Sequence, residues 1–120
     1  MDAIVKAGTV GSRWGGRTLT IVKQWANEEP LVREAFIFGS RARNTHRVDS
    51  DLDVAVKVNA QPGDASEYAC WVFEAKALSR RLQERTPVAV QLEWYDPVET
   101  PHVHMGMVES SIKVYWQSET

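Results

Sequence analysis

The sequence predicts one α/β (α+β) domain: a small mixed β-sheet of about four strands, covered by helices mainly on one face. Two observations lead there. Short runs of β-branched and aromatic residues alternate with segments whose apolar residues recur at helical spacing, in the order α-β-β-α-β-α-β. The composition is also that of an ordinary globular chain, with 120 residues, 43% hydrophobic and 25% charged. A chain of that size buries roughly two-thirds of the surface its unfolded form exposes, so it folds without disulfides or a structural metal.

The glycine-rich start, residues 1–16, reads as a flexible leader, and residues 17–120 as the domain. From Thr18 to Ala26, Leu19, Val22, Trp25 and Ala26 recur at helical spacing, and Pro30 closes the segment. Val32 to Phe38 is rich in strand formers and runs into Gly39-Ser40, a stop signal. Asp51 to Val58 alternates with a period of two: Leu52, Val54, Val56 and Val58 share one face, and Asp51, Asp53, Ala55 and Lys57 the other. Asp64 with Glu67 reads as a capping box opening a helix to about Arg85, with Tyr68, Val72, Ala75, Leu78 and Leu82 as its apolar stripe. Val88 to Tyr95 alternates again as a third strand, with Gln91 and Glu93 on one face. A short helix at Val103 to Glu109 and an edge strand at Ile112 to Trp116 complete the order.

Charge and cysteine content exclude several function classes. Fourteen Lys+Arg against sixteen Asp+Glu leave a net charge of −2, far from the strongly basic footprint of a general nucleic-acid binder. No apolar run approaches the roughly 20 residues of a membrane span. The single cysteine, Cys70, forms no intramolecular disulfide, so a reduced cytoplasm is the expected compartment.

Strands are depleted in aspartate, yet Asp51 and Asp53 stand two apart on one predicted strand face. Their backbones lie about 6.6 Å apart. At about 6 Å and an effective dielectric near 20, two carboxylates repel by roughly 3 kcal/mol, so a cation is expected between them. An all-oxygen ligand set favours a hard ion, and Mg²⁺ characteristically uses one or two carboxylates plus substrate phosphates. Ser40 lies eleven positions before Asp51, in a turn where glycine permits close approach to a phosphate and where Ser40 can cap a short following helix. Together these features point to phosphoryl or nucleotidyl transfer.

Gly39-Ser40-Arg41-Ala42-Arg43 followed by Ser50-Asp51-Leu52-Asp53-Val54 resembles the signature of the minimal nucleotidyltransferases of the DNA polymerase β superfamily, over Phe36 to Val58, roughly a fifth of the chain. The resemblance implies the nucleotidyltransferase fold, two Mg²⁺ ions, an NTP substrate such as ATP, and transfer of NMP to a hydroxyl acceptor. It implies metal ligation and catalysis by Asp51, Asp53 and Glu93, and nucleotide contacts from Gly39, Ser40, Arg41, Arg43 and Ser50. The third carboxylate has two alignments on its strand, Gln91 and Glu93, of which Glu93 is the acid. If Gln91 is the equivalent, one metal ligand is missing. Asn44 replaces the family's usual glycine, a position where asparagine tolerates a left-handed backbone. The resemblance also implies the antitoxin half of a two-component pair with a helical HEPN-domain protein, so acceptor recognition falls to such a partner or to a second copy of the chain. The alternative is a catalytically weak module that acts by binding that partner.

Other features have simpler readings. Arg41, Arg43 and Arg47 serve equally as phosphate contacts or as a solvated loop that neutralises Asp49, Asp51 and Asp53. His102 and His104 lack a third metal ligand and read as a surface helix turn, and Cys70 as a structural thiol. The early glycines do not follow a strand or end in Gly-Lys-Ser/Thr, so they are no P-loop. Trp71, one position off the helix stripe, is read either as widening that face toward a partner or as ordinary packing.

Overall fold

The computed structural model describes residues 16–42 and 51–117. Helix α1 (Gly16–Glu28), strand β1 (Val32–Phe38), a 3-10 turn (Gly39–Arg41), β2 (Leu52–Val58), α2 (Glu67–Gln83), β3 (Val90–Trp94), α3 (Pro101–Glu109) and β4 (Ser111–Trp116) follow in the predicted order. The mixed four-stranded sheet has the order β3-β2-β1-β4. Strand β1 is central and pairs antiparallel with both β2 and β4, and α2 carries the chain from β2 into the parallel strand β3. β4 lies at an edge, as expected. The predicted leader is cut by one residue, because Gly16 already belongs to α1, and the rest of it lies outside the described residues.

The core lies between one sheet face and the two long helices. Leu19, Val22, Trp25 and Ala26 of α1 are buried against Val32, Ala35 and Ile37 of β1 and Val114 of β4. Leu52, Val54, Val56 and Val58 are all fully buried, as the alternation required, and meet Cys70, Leu78 and Leu82 of α2. The short α3 reaches side chains of the other face: a Cβ at Gly106 would sit 2.9 Å from the Phe38 ring, so only glycine admits so close an approach.

Helix α2 corrects three expectations. Its cap is Ser66, whose hydroxyl accepts from Ala69 N at 3.0 Å, rather than Asp64. Asp64 instead accepts from Gln61 N at 2.7 Å within the preceding turn, and Glu67 pairs with Arg33. Tyr68 and Val72 are exposed, at 55% and 56%, so the buried face is rotated toward Cys70, Leu78 and Leu82. Trp71 is partly buried and packs against the core, as its packing reading expects. Strand β3 is shorter than its alternation suggested. Gln83 turns its amide onto this segment, donating to Val88 O at 2.8 Å and accepting from Val90 N at 2.9 Å.

Cys70 is buried, its thiol donates to Asn59 O at 3.4 Å, and burial followed by the nearby Asp64 pushes its pKa up, as fits an inert structural thiol. The ends of α1 and α2 are tied by Arg81, which grips the buried Glu29 with two bonds of 2.6 and 3.0 Å. A forked guanidinium on a largely desolvated carboxylate exceeds an ordinary surface ion pair, because its loss strands the acid. Arg81→Ala is expected to lower stability by about 2 kcal/mol in urea denaturation, whereas Lys113→Ala, which breaks the more exposed pair with Glu34, is expected to cost well under half of that.

Candidate active site

The site lies on the sheet face opposite the two long helices. Register places Phe38 and Gln91 on either side of Asp53, and Phe36 and Glu93 on either side of Ala55. Side chains two apart on a strand share a face, so Asp51, Asp53, Gln91 and Glu93 occupy one surface. Asp51, just ahead of β2, is exposed, and Asp53 is half-buried. Gln91 Nε2 donates to Asp51 Oδ2 at 3.2 Å.

The turn after β1 is built onto the acid pair. Gly39 has φ +78°, and a Cβ there would lie 2.5 Å from Asp53 Oδ2 and 3.4 Å from its Cγ. Glycine is therefore required twice, for the left-handed backbone and for the contact. Ser40 lies within the 3-10 turn Gly39–Arg41, and the chain that follows Ala42, where a helix capped by Ser40 was expected, lies outside the described residues. Arg41 is buried to 4% exposure, and its positive charge acts on Asp53. Arg43, Asn44, Arg47, Asp49 and Ser50 lie outside the described residues.

Asp53 carries the electrostatic signature of the site. Burial raises its pKa, the negative charges of Asp51 and Glu93 raise it further, and Arg41 opposes them in part. This surface holds negative charge at a cost. Two carboxylates on one strand face, offering only oxygen donors, are of the type that suits Mg²⁺ also held by substrate phosphates. Among the described residues, however, no group of three or more His, Cys, Asp or Glu is placed to hold a metal ion by itself.

Beyond Glu93 the face becomes aromatic. The Tyr95 hydroxyl lies 2.9 Å from His104 Nδ1, the two rings stack at 6.0 Å, and Phe36 meets Tyr95 edge-on at 5.8 Å. Lys57 Nζ stands 5.5 Å from the Tyr95 centroid. His104 thus packs inward while His102 is exposed, so the two form no pair. The Tyr95–His104 contact was not anticipated from the sequence, although Tyr95 continues the alternation of Gln91 and Glu93. A separate groove of about 950 Å³ opens at the far end of β3, lined by Tyr68, Trp94, Glu67, Asp96 and Glu99 among others.

A small mixed sheet with an acid pair on one strand, and a glycine turn pressed against it, defines a class of phosphate-transferring domain. The family profile described as "Polymerase beta, Nucleotidyltransferase" matches residues 21–119, and the chain belongs to that family. Solved structures agree on the fold. A toxin–antitoxin with AMP-PNP aligns at 17% identity and TM-score 0.59, over 84% of this chain and 75% of that one. A mutant of the toxin–antitoxin MntA-HpeT aligns at 17% identity and TM-score 0.56, over 83% and 73%. A protein from Sulfolobus solfataricus assigned as a nucleotidyltransferase aligns at 19% identity and TM-score 0.51, over 98% and 90%. Comparison with curated proteins gave no match. Among the described residues no helix is long and apolar enough to cross a membrane.

Two outcomes follow from this geometry. Because folding raises the Asp53 pKa, the folded chain binds more protons than the unfolded one between the ordinary carboxylate range and the raised value, and stability falls as pH rises through that window. Asp53→Asn is therefore expected to raise the metal-free melting temperature at neutral pH by a few degrees, with the gain vanishing below the ordinary carboxylate range. Gly39→Ala is expected to destabilise by at least about 1–2 kcal/mol in urea denaturation from the left-handed backbone alone.

Proposed function

We propose that this chain is an active nucleotidyltransferase that binds Mg²⁺ and an NTP, ATP by preference, and transfers the NMP to a hydroxyl on a partner protein. The contact of Gly39 with the Asp53 carboxylate carries the reading, because it brings the phosphate-type turn and the acid pair into one site. Asp51 and Asp53 are the residues to hold Mg²⁺, which when bound supplies positive charge against the phosphate oxygens. Gly39 and Ser40 offer the turn backbone to the triphosphate, with Arg43 and Ser50 as further nucleotide contacts, and Arg41 offsets the charge gathered at Asp53.

In the transfer itself, the acceptor hydroxyl oxygen forms a bond to the α-phosphorus. The bond from that phosphorus to the bridging oxygen of the β-phosphate breaks, and pyrophosphate leaves with the electron pair. The hydroxyl proton passes to Glu93, which stands on the same face one step beyond Gln91. The partner reading is supported by the toxin–antitoxin structures that share this fold, and a HEPN-type helical protein in the cytoplasm is the partner proposed. A second copy of the chain is the alternative source of the acceptor.

A second reading, an antitoxin module that binds its partner with little or no transfer, is favoured by one observation: the acids of the site do not form a three-carboxylate metal group among the described residues. Incubation of the chain and its co-purifying protein with Mg²⁺ and α-labelled ATP separates the two. Label is expected on the partner, reduced by about 100-fold or more in Asp53→Ala. If no label moves and both forms neutralise the partner equally, the binding-module reading replaces the enzyme.

A further inference from the structure

Parallel pairing sets one residue of β3 beside each residue of β2, and the place beside Asp53 belongs to Gln91, while Glu93 stands beside Ala55. Glu93, whose charge also acts on Asp53, rises one step farther along, and the first of these places is the nearest on β3 to Asp53. There the chain carries a carboxamide, and that carboxamide is engaged, with Nε2 donating to Asp51 Oδ2 at 3.2 Å.

A carboxamide differs from a carboxylate in two ways that matter to a cation. It is neutral, and its NH₂ half is a donor that no cation can use. By donating to Asp51 it fixes that carboxylate's orientation and occupies one of its lone-pair directions, which leaves the remaining oxygen for an ion shared with Asp53. Two carboxylates and phosphate oxygens satisfy one Mg²⁺. A second divalent ion about 3.5–4 Å from the first adds two positive charges and calls for a further anionic donor. Among the described residues no group of three or more such ligands is assembled there, and Glu93, the nearest further acid on β3, stands beside Ala55 rather than Asp53.

We propose that Gln91 is a positioning residue that makes this a one-ion centre: its amide orients Asp51 toward a single divalent ion shared with Asp53 and the nucleotide, and its neutrality withholds the second ion. The inference rests on the nucleotide-binding reading above and refines it. Two ions are replaced by one, and Glu93 is left to the acceptor rather than to a metal. It also assigns the third-carboxylate position to Gln91.

The test counts ions without requiring turnover. The full chain is mixed with Mn²⁺ and α,β-methylene-ATP, whose α–β link resists NMP transfer, and bound Mn²⁺ is measured by electron paramagnetic resonance. Wild type and Glu93→Gln are expected to hold one ion per bound nucleotide with an uncoupled spectrum. Gln91→Glu is expected to hold two, with the spin coupling of ions about 3.5–4 Å apart. Gln91→Met, similar in shape but without the donor, is expected to keep one ion at affinity lowered about 10-fold. Two coupled ions on wild type, a single ion on a folded Gln91→Glu, or unchanged affinity in Gln91→Met overturns the proposal. Thermal melts identify a variant that has not folded, and the wild-type count with the Gln91→Met affinity then decides. Failure of wild type to bind the analogue at all overturns the nucleotide-binding reading together with the proposal, a result separate from any ion count.

Discussion

The alternation of β2 is the constraint on which the rest depends. Leu52, Val54, Val56 and Val58 are fully buried on one face, so slipping this strand by one residue against its neighbours would expose four apolar side chains and drive Asp53 and Lys57 into the core. The hydrophobic effect therefore holds the register, and the register holds the chemistry. It sets Asp53 beside Phe38, at the end of β1, so that the chain leaving β1 turns directly over the carboxylate.

The acid face is the converse of that core. Burying half of Asp53 near Asp51 and Glu93 costs free energy that the buried face of the same strand offsets. Arg41 returns some of it from the turn. A surface arranged in this way gathers negative charge on one side of the sheet. The same sheet face continues into Tyr95, His104 and Phe36, with Lys57 alongside, so anionic and aromatic-cationic surfaces adjoin on one side of the sheet. The far groove, lined by Glu67, Asp96 and Glu99 among others, lies toward the helix-covered side of β3, away from this surface.

Much of the fold was legible because it rests on local periodicity. The order of elements, the buried residues of α1 and the two faces of β2 all follow from spacings of 3.6 or 2 residues along the chain. Where local signals competed, the sequence misled. Asp64 and Ser66 both precede α2, and backbone geometry chose the residue immediately before the first helical turn. Val72 satisfies helical spacing but lies about a third of a turn from Leu78, and only the way α2 rests on the sheet decides which of several apolar rows is covered.

The sequence by itself determined the class of this protein. Two aspartates on one strand face after a Gly-Ser turn are a local pattern, and period-two geometry converts it into converging carboxylates without knowledge of the rest of the chain. The tertiary structure alone decided what stands beside them. Whether Gln91 or Glu93 neighbours Asp53 depends on how β3 aligns with β2 across an intervening helix, and that alignment is set by the burial of Trp94 and the β2 valines on the opposite face. Long-range register is a property of the packed core, because only the packed core distinguishes one residue of slip from another.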